Sequence, residues 1–295
     1  MTMLNNNKIS TLSRGILATA VLSLSACAAV NNPLETDATL SNKEKAVAVI
    51  SSIETGDVKA INYINPNKYV QHNLAVKDGL AGFGEVLHQL PKGSAKAQVK
   101  RAFADGAYTV THTEYDFFGP KVGFDIFKFE DGKITEHWDN LQAIAPVNPS
   151  GRSQLDGPTK VTDIDKTAEN KALVSNFVHT ILINGDMAKI GDFISPKKGG
   201  YIQHNPAIAD DLSGLGNALG ELSKMNMPMI VTKNHMILGE GNFVLSINEG
   251  TFMNKHVSFY DLFRVENGKI VEHWDTIENI PTESEWKNNN GKFGF

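Results

Sequence analysis

Asp125–Asp139 reads DIFKFEDGKITEHWD, and Asp261–Asp275 reads DLFRVENGKIVEHWD. Ten of the fifteen positions are identical, and each copy begins and ends with an aspartate. Apolar and polar residues alternate on both sides of Asp131-Gly132 and of Asn267-Gly268, turn dipeptides in which glycine tolerates positive φ. Each copy therefore reads as a β-hairpin. A segment this specific that recurs in one chain predicts one domain present twice.

Three hairpin registers are open. If Asp131-Gly132 alone form the loop, Asp125 pairs with Trp138, and the two aspartates face opposite ways. A three-residue loop that includes Glu130 pairs Asp125 with His137 and places Asp125, Phe127, His137 and Asp139 on one face. A bulge further along the ribbon also brings the two aspartates together.

Outward from the first hairpin, Ser41-Asn42-Lys43-Glu44 is a capping-box pattern. Ala46, Val49, Ile50 and Ile53 follow at helical spacing, and Gly56 is the stop. A short helix is expected over Val58–Ile64. Another is capped by Asp78, with Leu80, Phe83, Leu87 and Leu90 inward and Pro91 just beyond. Strands are expected around 97–103, 107–113, 121–130 and 133–140. The second copy repeats this script. Leu173, Val174, Phe177, Val178, Ile181 and Leu182 make its first helical face, ending at Gly185. Tyr201-Ile202-Gln203-His204-Asn205 echoes Tyr69-Val70-Gln71-His72-Asn73. The expected division is a targeting segment 1–27, a tether 28–40, repeat one 41–145, a Pro/Gly-rich linker 146–164, repeat two 165–280 and a polar tail 281–295. Helices followed by antiparallel strands indicate an α+β domain with helices on one sheet face.

The motif D-[IL]-F-[KR]-x-E-[DN]-G-K-I-x-E-H-W-D, the upstream Y-[VI]-Q-H-N and the Asp78-Gly79 region resemble the SnoaL-like polyketide cyclase family. That family belongs to the nuclear-transport-factor-two-like (cystatin-like) superfamily. The resemblance implies two tandem cone-shaped domains, each a curved, mostly antiparallel sheet with about three helices. It also implies that the aspartate ending each hairpin, Asp139 and Asp275, acts as a general acid/base. The motif's first position, a histidine in the characterised cyclase, is Asp125 or Asp261 here, a departure from the family pattern.

Such chemistry needs no metal or organic cofactor. A carboxyl whose proton affinity is raised by an apolar pocket can shuttle a proton to and from the carbon beside a carbonyl. The expected partner is a small apolar carbonyl compound. His72, His112, His137, His204 and His273 are candidate ligand contacts, and Trp138 and Trp274 candidate cavity walls. Glu136 and Glu272 are expected on the opposite face, solvated or paired with Lys128 and Arg264. His112 corresponds to Ile247 in repeat two, and Asp139-Asn140-Leu141-Gln142 is nearer the pattern of the family resembled than Asp275-Thr276-Ile277-Glu278, so repeat one is the favoured catalytic repeat. No H-x-x-x-H or H-x-H spacing occurs, so no metal is expected. No G-x-S-x-G elbow is present, and the single cysteine is Cys27.

That cysteine ends a lipoprotein-type signal. Lys8 and Arg14 precede the apolar run Ile16–Ala26, which closes on Leu24-Ser25-Ala26-Cys27. The expectation is a lipid anchor on Cys27 and a place in the cell envelope, at the outer membrane facing the periplasm. The whole chain carries 28 basic and 33 acidic residues, a formal charge of −5. With no basic run, nucleic acid is not an expected partner. Two fused repeats suggest a monomeric pseudo-dimer with its sheets back to back.

Overall fold

The computed structural model describes residues 40–90 and 93–295. Cys27, the preceding signal, the tether up to residue 39, and Pro91 lie outside the described residues. Helix α1 (Asn42–Thr55) opens with the anticipated reciprocal cap: Glu44 N–H donates to Ser41 Oγ, and the Glu44 carboxylate accepts from Ser41 N–H at 2.7 Å. Gly56 ends it with φ 69°. A 3-10 turn (Val58–Tyr63) and α2 (Gly79–Gln89) complete the first set of helices. In repeat two the corresponding helices are α3 (Thr167–Phe177), continued by a π turn over Val178–Ile183, the short α4 (Ile190–Phe193), and α5 (Asp211–Lys224).

Two sheets follow the same plan. The first holds β1 (Val70–Gln71), β2 (Lys96–Asp105), β3 (Tyr108–Asp116), β4 (Pro120–Glu130) and β5 (Lys133–Ala143), in the order β1-β5-β4-β3-β2. The second holds β6 (Ile202–Gln203), β7 (Ile230–Glu240), β8 (Phe243–Phe252), β9 (Lys255–Glu266) and β10 (Lys269–Asn279), in the order β6-β10-β9-β8-β7. All pairings are antiparallel except those of the two-residue strands β1 and β6, which run parallel to β5 and β10. The chain is thus α+β, with two domains of one plan, each a mostly antiparallel five-stranded sheet with helices on one face.

The hairpin register is the third of those open to the sequence. Glu130 pairs with Lys133 across the two-residue turn, where Asp131 and Gly132 both have positive φ. The ladder then skips Thr135, and this bulge advances the pairing by one residue. Asp125 consequently lies opposite Asp139, with Phe127 opposite His137. Repeat two does the same by skipping Val271, setting Asp261 opposite Asp275.

Alternation along the strands then sorts side chains between two layers. One face of each sheet packs on its own helices: Val49, Ile50, Tyr115, Phe127 and Ile134 meet in repeat one, and Val174, Phe177, Phe263, Val265 and Ile270 in repeat two. The opposite faces pack on each other, where Phe124, Ile126 and Trp138 join Leu245, Tyr260 and Trp274 in one buried cluster. Burying this much aromatic surface contributes about 1.5–3 kcal/mol for each large side chain.

The segments after the two sheets cross over. Residues 146–158, leaving repeat one, lie on repeat two: Asn148 Nδ2 donates to the backbone oxygens of Gln203 (2.7 Å) and Ile208 (2.9 Å). The tail leaving repeat two lies on repeat one: Asn288 Nδ2 donates to the backbone oxygens of Asn73 (2.7 Å) and Val76 (2.9 Å). Phe295 stacks on Trp138 at 4.7 Å, and Phe293 on His235 at 4.1 Å. Among the described residues, no helix is long and apolar enough to cross a membrane.

Candidate functional site

The helix-side face of the second sheet carries Asp261, His273 and Asp275, all buried. The strap between Tyr201 and Asn205 adds the groups that orient them. Gln203 Oε1 accepts from the backbone N–H groups of His204 and Asn205, both at 2.9 Å, and from His273 Nδ1 at 3.0 Å. His273 Nε2 faces Asp261 Oδ1 at 3.1 Å. Both ring nitrogens thus point at acceptors, an arrangement suited to the imidazolium form. Burial works against that form, yet the Asp261 hydrogen bond and the charges of Asp275 and Asp261 raise His273 above its ordinary value. Asn248 Nδ2 donates to Asp261 Oδ2 at 2.9 Å, and Asn205 Nδ2 to Asp275 Oδ2 at 2.7 Å.

Asp275 is the group left open. Its Oδ1 is buried and has no hydrogen-bond partner. Burial raises its proton affinity above the ordinary carboxyl value, and the charge of Asp261 adds to this. These outweigh the opposing influence of His273 and of the Asn205 donor. Beside it lies a cavity of about 620 Å³, within the size range of small-molecule sites. Asp261, His273 and Asp275 form its polar end, and Phe177, Leu219, Met229, Val231, Phe259 and Ile277 are among its apolar walls.

Repeat one builds a similar cluster, with Lys292 Nζ 3.8 Å from Asp139 Oδ1. His137 Nδ1 contacts Gln71 Oε1 at 3.1 Å, His137 Nε2 contacts Asp125 Oδ1 at 3.1 Å, and Asn73 Nδ2 donates to Asp139 Oδ2 at 2.6 Å. Asp139 Oδ1 is buried and also lacks a hydrogen-bond partner. Burial raises the Asp125 carboxyl above its ordinary value. Tyr115, however, is fully enclosed and donates to Asp125 Oδ2 at 2.5 Å. The strand registers put Gly250 at the matching place in repeat two. A Cβ at Gly250 would stand 1.9 Å from the backbone oxygen of Ile230, so that position admits no side chain. The phenol of repeat one thus has no counterpart in repeat two, and Asn248 serves Asp261 in its stead.

Of the residues singled out in the sequence, Asp125, His137 and Asp139 gather in one cluster, and Asp261, His273 and Asp275 in the other. Three expected ligand contacts and two expected cavity walls lie elsewhere. Trp138 and Trp274 belong to the layer between the sheets. His72 and His204 stack on these tryptophans at 4.4 and 4.7 Å, away from the carboxylates. Each bridges a backbone oxygen of the crossing segments, Gly291 or Ser153, to Glu136 or Glu272. His112 is also between the sheets, stacked on Phe124 at 4.3 Å and held by Arg101 at 3.0 Å. The physical reason is strand alternation: each of these side chains sits an odd number of positions from a site residue. Glu136 and Glu272 pair with Lys128 (2.6 Å) and Arg264 (2.7 Å) as expected, but Glu272 is buried rather than solvated. The preference for repeat one rested in part on His112, which does not reach the site, and the cavity described above is in repeat two.

Gln71, Gln203, Asn73, Asn205, Asn248 and Tyr201 were not anticipated as site residues. The repeated Y-[VI]-Q-H-N string held the signal for most of them, but attention fell on its histidine. Each Asp-His-Asp set also brings one ligand-type atom per residue to within 4.8 Å of the others, close enough to hold a divalent ion. The His–Asp contact and the amide donors already satisfy all but one of the carboxylate oxygens in repeat two, and the histidine needs no further partner.

No family model matches the chain, and no curated protein matches it. Solved structures do. An NTF2-like protein of unknown function from Cytophaga hutchinsonii is 13% identical, spans 36% of this chain and 94% of its own length, and gives a TM-score of 0.32. A SnoaL-like polyketide cyclase candidate from Shewanella denitrificans is 15% identical over 34% of this chain and 90% of its own, with a TM-score of 0.30. IdmH, a polyketide cyclase candidate from Streptomyces antibioticus, is 14% identical over 35% and 93%, also at 0.30. Each spans about a third of this chain; at these identities the likeness is one of fold and does not extend to activity.

Proposed function

We propose that repeat two is an acid–base site that transfers a proton on a small apolar carbonyl compound, in an aldol-type cyclisation, an isomerisation or a dehydration. The observation that carries this reading is the open Oδ1 of a buried, proton-avid Asp275 at the polar end of an apolar cavity. A carboxyl in that setting exchanges its proton near neutral pH more readily than one in water. Asp261 and His273 form a charge-balanced pair beside it and orient the pocket end. No organic cofactor is required by this chemistry. In repeat one Asp125 and Asp139 keep the polar arrangement, while Tyr115 occupies the approach.

The test is proton exchange. Purified protein in D2O is given a panel of enolisable apolar ketones, and loss of the α-hydrogen signal is followed by NMR. Exchange that depends on Asp275 supports the reading. Undiminished exchange in an Asp139→Asn/Asp275→Asn double variant removes it.

A second reading is a binding module that holds an apolar molecule without converting it. The extent of apolar wall in the cavity favours it. A ligand that co-purifies unchanged, with no exchange on the panel, would select this reading. In either case we propose that the chain works as a monomer tethered to the envelope through a lipid on Cys27, outer membrane rather than inner; metabolic labelling with a fatty acid and loss of label in Cys27→Ala test the anchor.

A further inference from the structure

The cavity's polar end contains a second uncommitted group besides Asp275. Tyr201 lines the cavity and is 2% exposed. Its oxygen accepts from Gln203 Nε2 at 3.3 Å, and among the described residues its own O–H donates to no protein group. The same Gln203 holds His273, so the phenol is fixed relative to the acid–base cluster. Burial, with the nearby Asp275 and Asp261, keeps the phenol protonated well past its ordinary range. It is therefore a permanent donor. The charge in the cavity leans negative: no lysine or arginine lines it, whereas Asp261, Asp275 and Glu221 do, and the only basic side chain of the lining, His273, is paired with Asp261.

We propose that Tyr201 is a catalytic residue that holds the substrate's carbonyl oxygen while Asp275 removes the proton from the adjacent carbon, and that the site thereby selects uncharged, enolisable apolar ketones. This rests on the acid–base reading and adds a named donor and a substrate class to it. The α C–H bond breaks, and its proton goes to the Asp275 carboxylate. The electron pair becomes the C=C bond of the enolate, and the carbonyl π pair moves onto the oxygen beneath the Tyr201 O–H. Return of the proton to the same or a conjugated carbon regenerates the carboxylate, with no oxidant or reductant consumed. A preorganised donor aimed at the developing oxyanion in a water-poor cavity lowers the barrier. A carboxylate-bearing ligand meets the buried acids Asp261 and Asp275, no lysine or arginine, and a His273 already engaged by Asp261, and is rejected.

The experiment uses the full chain with 2-decanone for exchange in D2O, decanoate as its charged counterpart, and 2-naphthol as a planar enolate mimic detected by fluorescence. Thermal melts check that Tyr201→Phe and Asp275→Asn fold. The expected result is exchange of 2-decanone by the wild type, a loss of about 10²–10³-fold in Tyr201→Phe, and none above buffer in Asp275→Asn. Naphthol binding should weaken about tenfold in Tyr201→Phe, and decanoate should bind at least tenfold more weakly than 2-decanone. If Tyr201→Phe exchanges at the wild-type rate while Asp275→Asn is silent, the role of Tyr201 is overturned and the acid–base reading stands. If wild-type protein binds the ketone without exchanging it, both fall. Equal binding of decanoate overturns the substrate class.

Discussion

Tyr115 and Gly250 occupy the same position in the two sheets, and they set the two domains apart. The phenol of Tyr115 is buried against Asp125 at 2.5 Å; at Gly250 the backbone of Ile230 comes so near that no side chain fits. Tyr115→Ala should therefore open space beside Asp125 and Asp139. The cost is that of truncating a large buried aromatic, about 3–5 kcal/mol, and chemical denaturation should show it. Titration with an apolar ligand should then give two sites per chain, where the wild type gives one.

Gly250→Ala provides the converse. Its Cβ meets backbone, not a movable side chain. The variant should destabilise the chain by about 1–3 kcal/mol and displace the edge strand β7 that borders the cavity. A lowered melting temperature with weakened ligand binding is the expected pair of readings; unchanged values for both would count against the close approach.

The Asp275 carboxyl has a folded-state proton affinity above its ordinary value because it is buried. A carboxyl raised in this way contributes most stability while protonated, below its unfolded pKa of about 3.9. That contribution is lost as pH rises through the raised folded value. Replacing Asp275 by asparagine removes the ionisation. The stability of Asp275→Asn relative to wild type should thus become more favourable as pH rises from about 4 through the raised folded value, and then level off. A difference that is flat across that range would show that burial does not raise this carboxyl. Activity follows the opposite course, since the base must be ionised: proton exchange should rise as pH passes the raised value.

The hairpins, their turns and the first helix of each repeat were legible from the chain alone because each rests on a strong local signal. Asp131-Gly132 and Asn267-Gly268 demand the tight turn, and Ser41 with Glu44 announces α1. The bulges at Thr135 and Val271 were not, since either residue suits a regular strand. Yet the bulges decide that Asp125 faces Asp139. Strands β1 and β6 have two residues each, too few to show a period, and their pairing beside β5 and β10 is what carries Gln71 and Gln203 to the histidines. The outward placing of His72 and His204 depends on the packing of one sheet on the other, which no local pattern encodes. The exchange of Tyr115 for Gly250 was visible once β3 is aligned with β8, but its meaning depended on the face on which it lies.

Asn148 shows that the linker leaving repeat one supports the site in repeat two. Its Nδ2 holds Gln203 and Ile208 through their backbone oxygens, and its Oδ1 accepts from the N–H groups of Ser150 and Arg152. The gripped loop carries Gln203, which orients His273, and Asn205, which holds Asp275. Asn148→Ala would leave these buried carbonyls without donors, at about 1–3 kcal/mol. Hydrogen exchange of residues 203–208 should accelerate, and ligand affinity in repeat two should fall. Asn288→Ala, which releases the matching loop at Asn73 and Val76, should accelerate exchange there and leave repeat two's affinity unchanged.

Arg101 closes the interface from the other side, and it has no equivalent in repeat two, where the register places Met236. Its guanidinium lies over Trp274 at 4.3 Å, donates to the backbone oxygens of Pro158 (2.7 Å), Leu155 (3.3 Å) and Asp156, and contacts His112 at 3.0 Å. Burial lowers its pKa to about 10, still well above neutral pH, so a full charge sits between the sheets. Arg101→Met keeps the stem volume but takes the guanidinium donors from the Pro158 and Leu155 carbonyls, while the Asp156 carbonyl keeps Trp274 Nε1. The expected loss is about 1–3 kcal/mol for each carbonyl left without a donor. The linker's grip on His204 and Asn148's loop would loosen with it, so ligand affinity in repeat two should drop together with the melting temperature. A variant that melts early yet binds at wild-type affinity would show that the interface and the site are uncoupled.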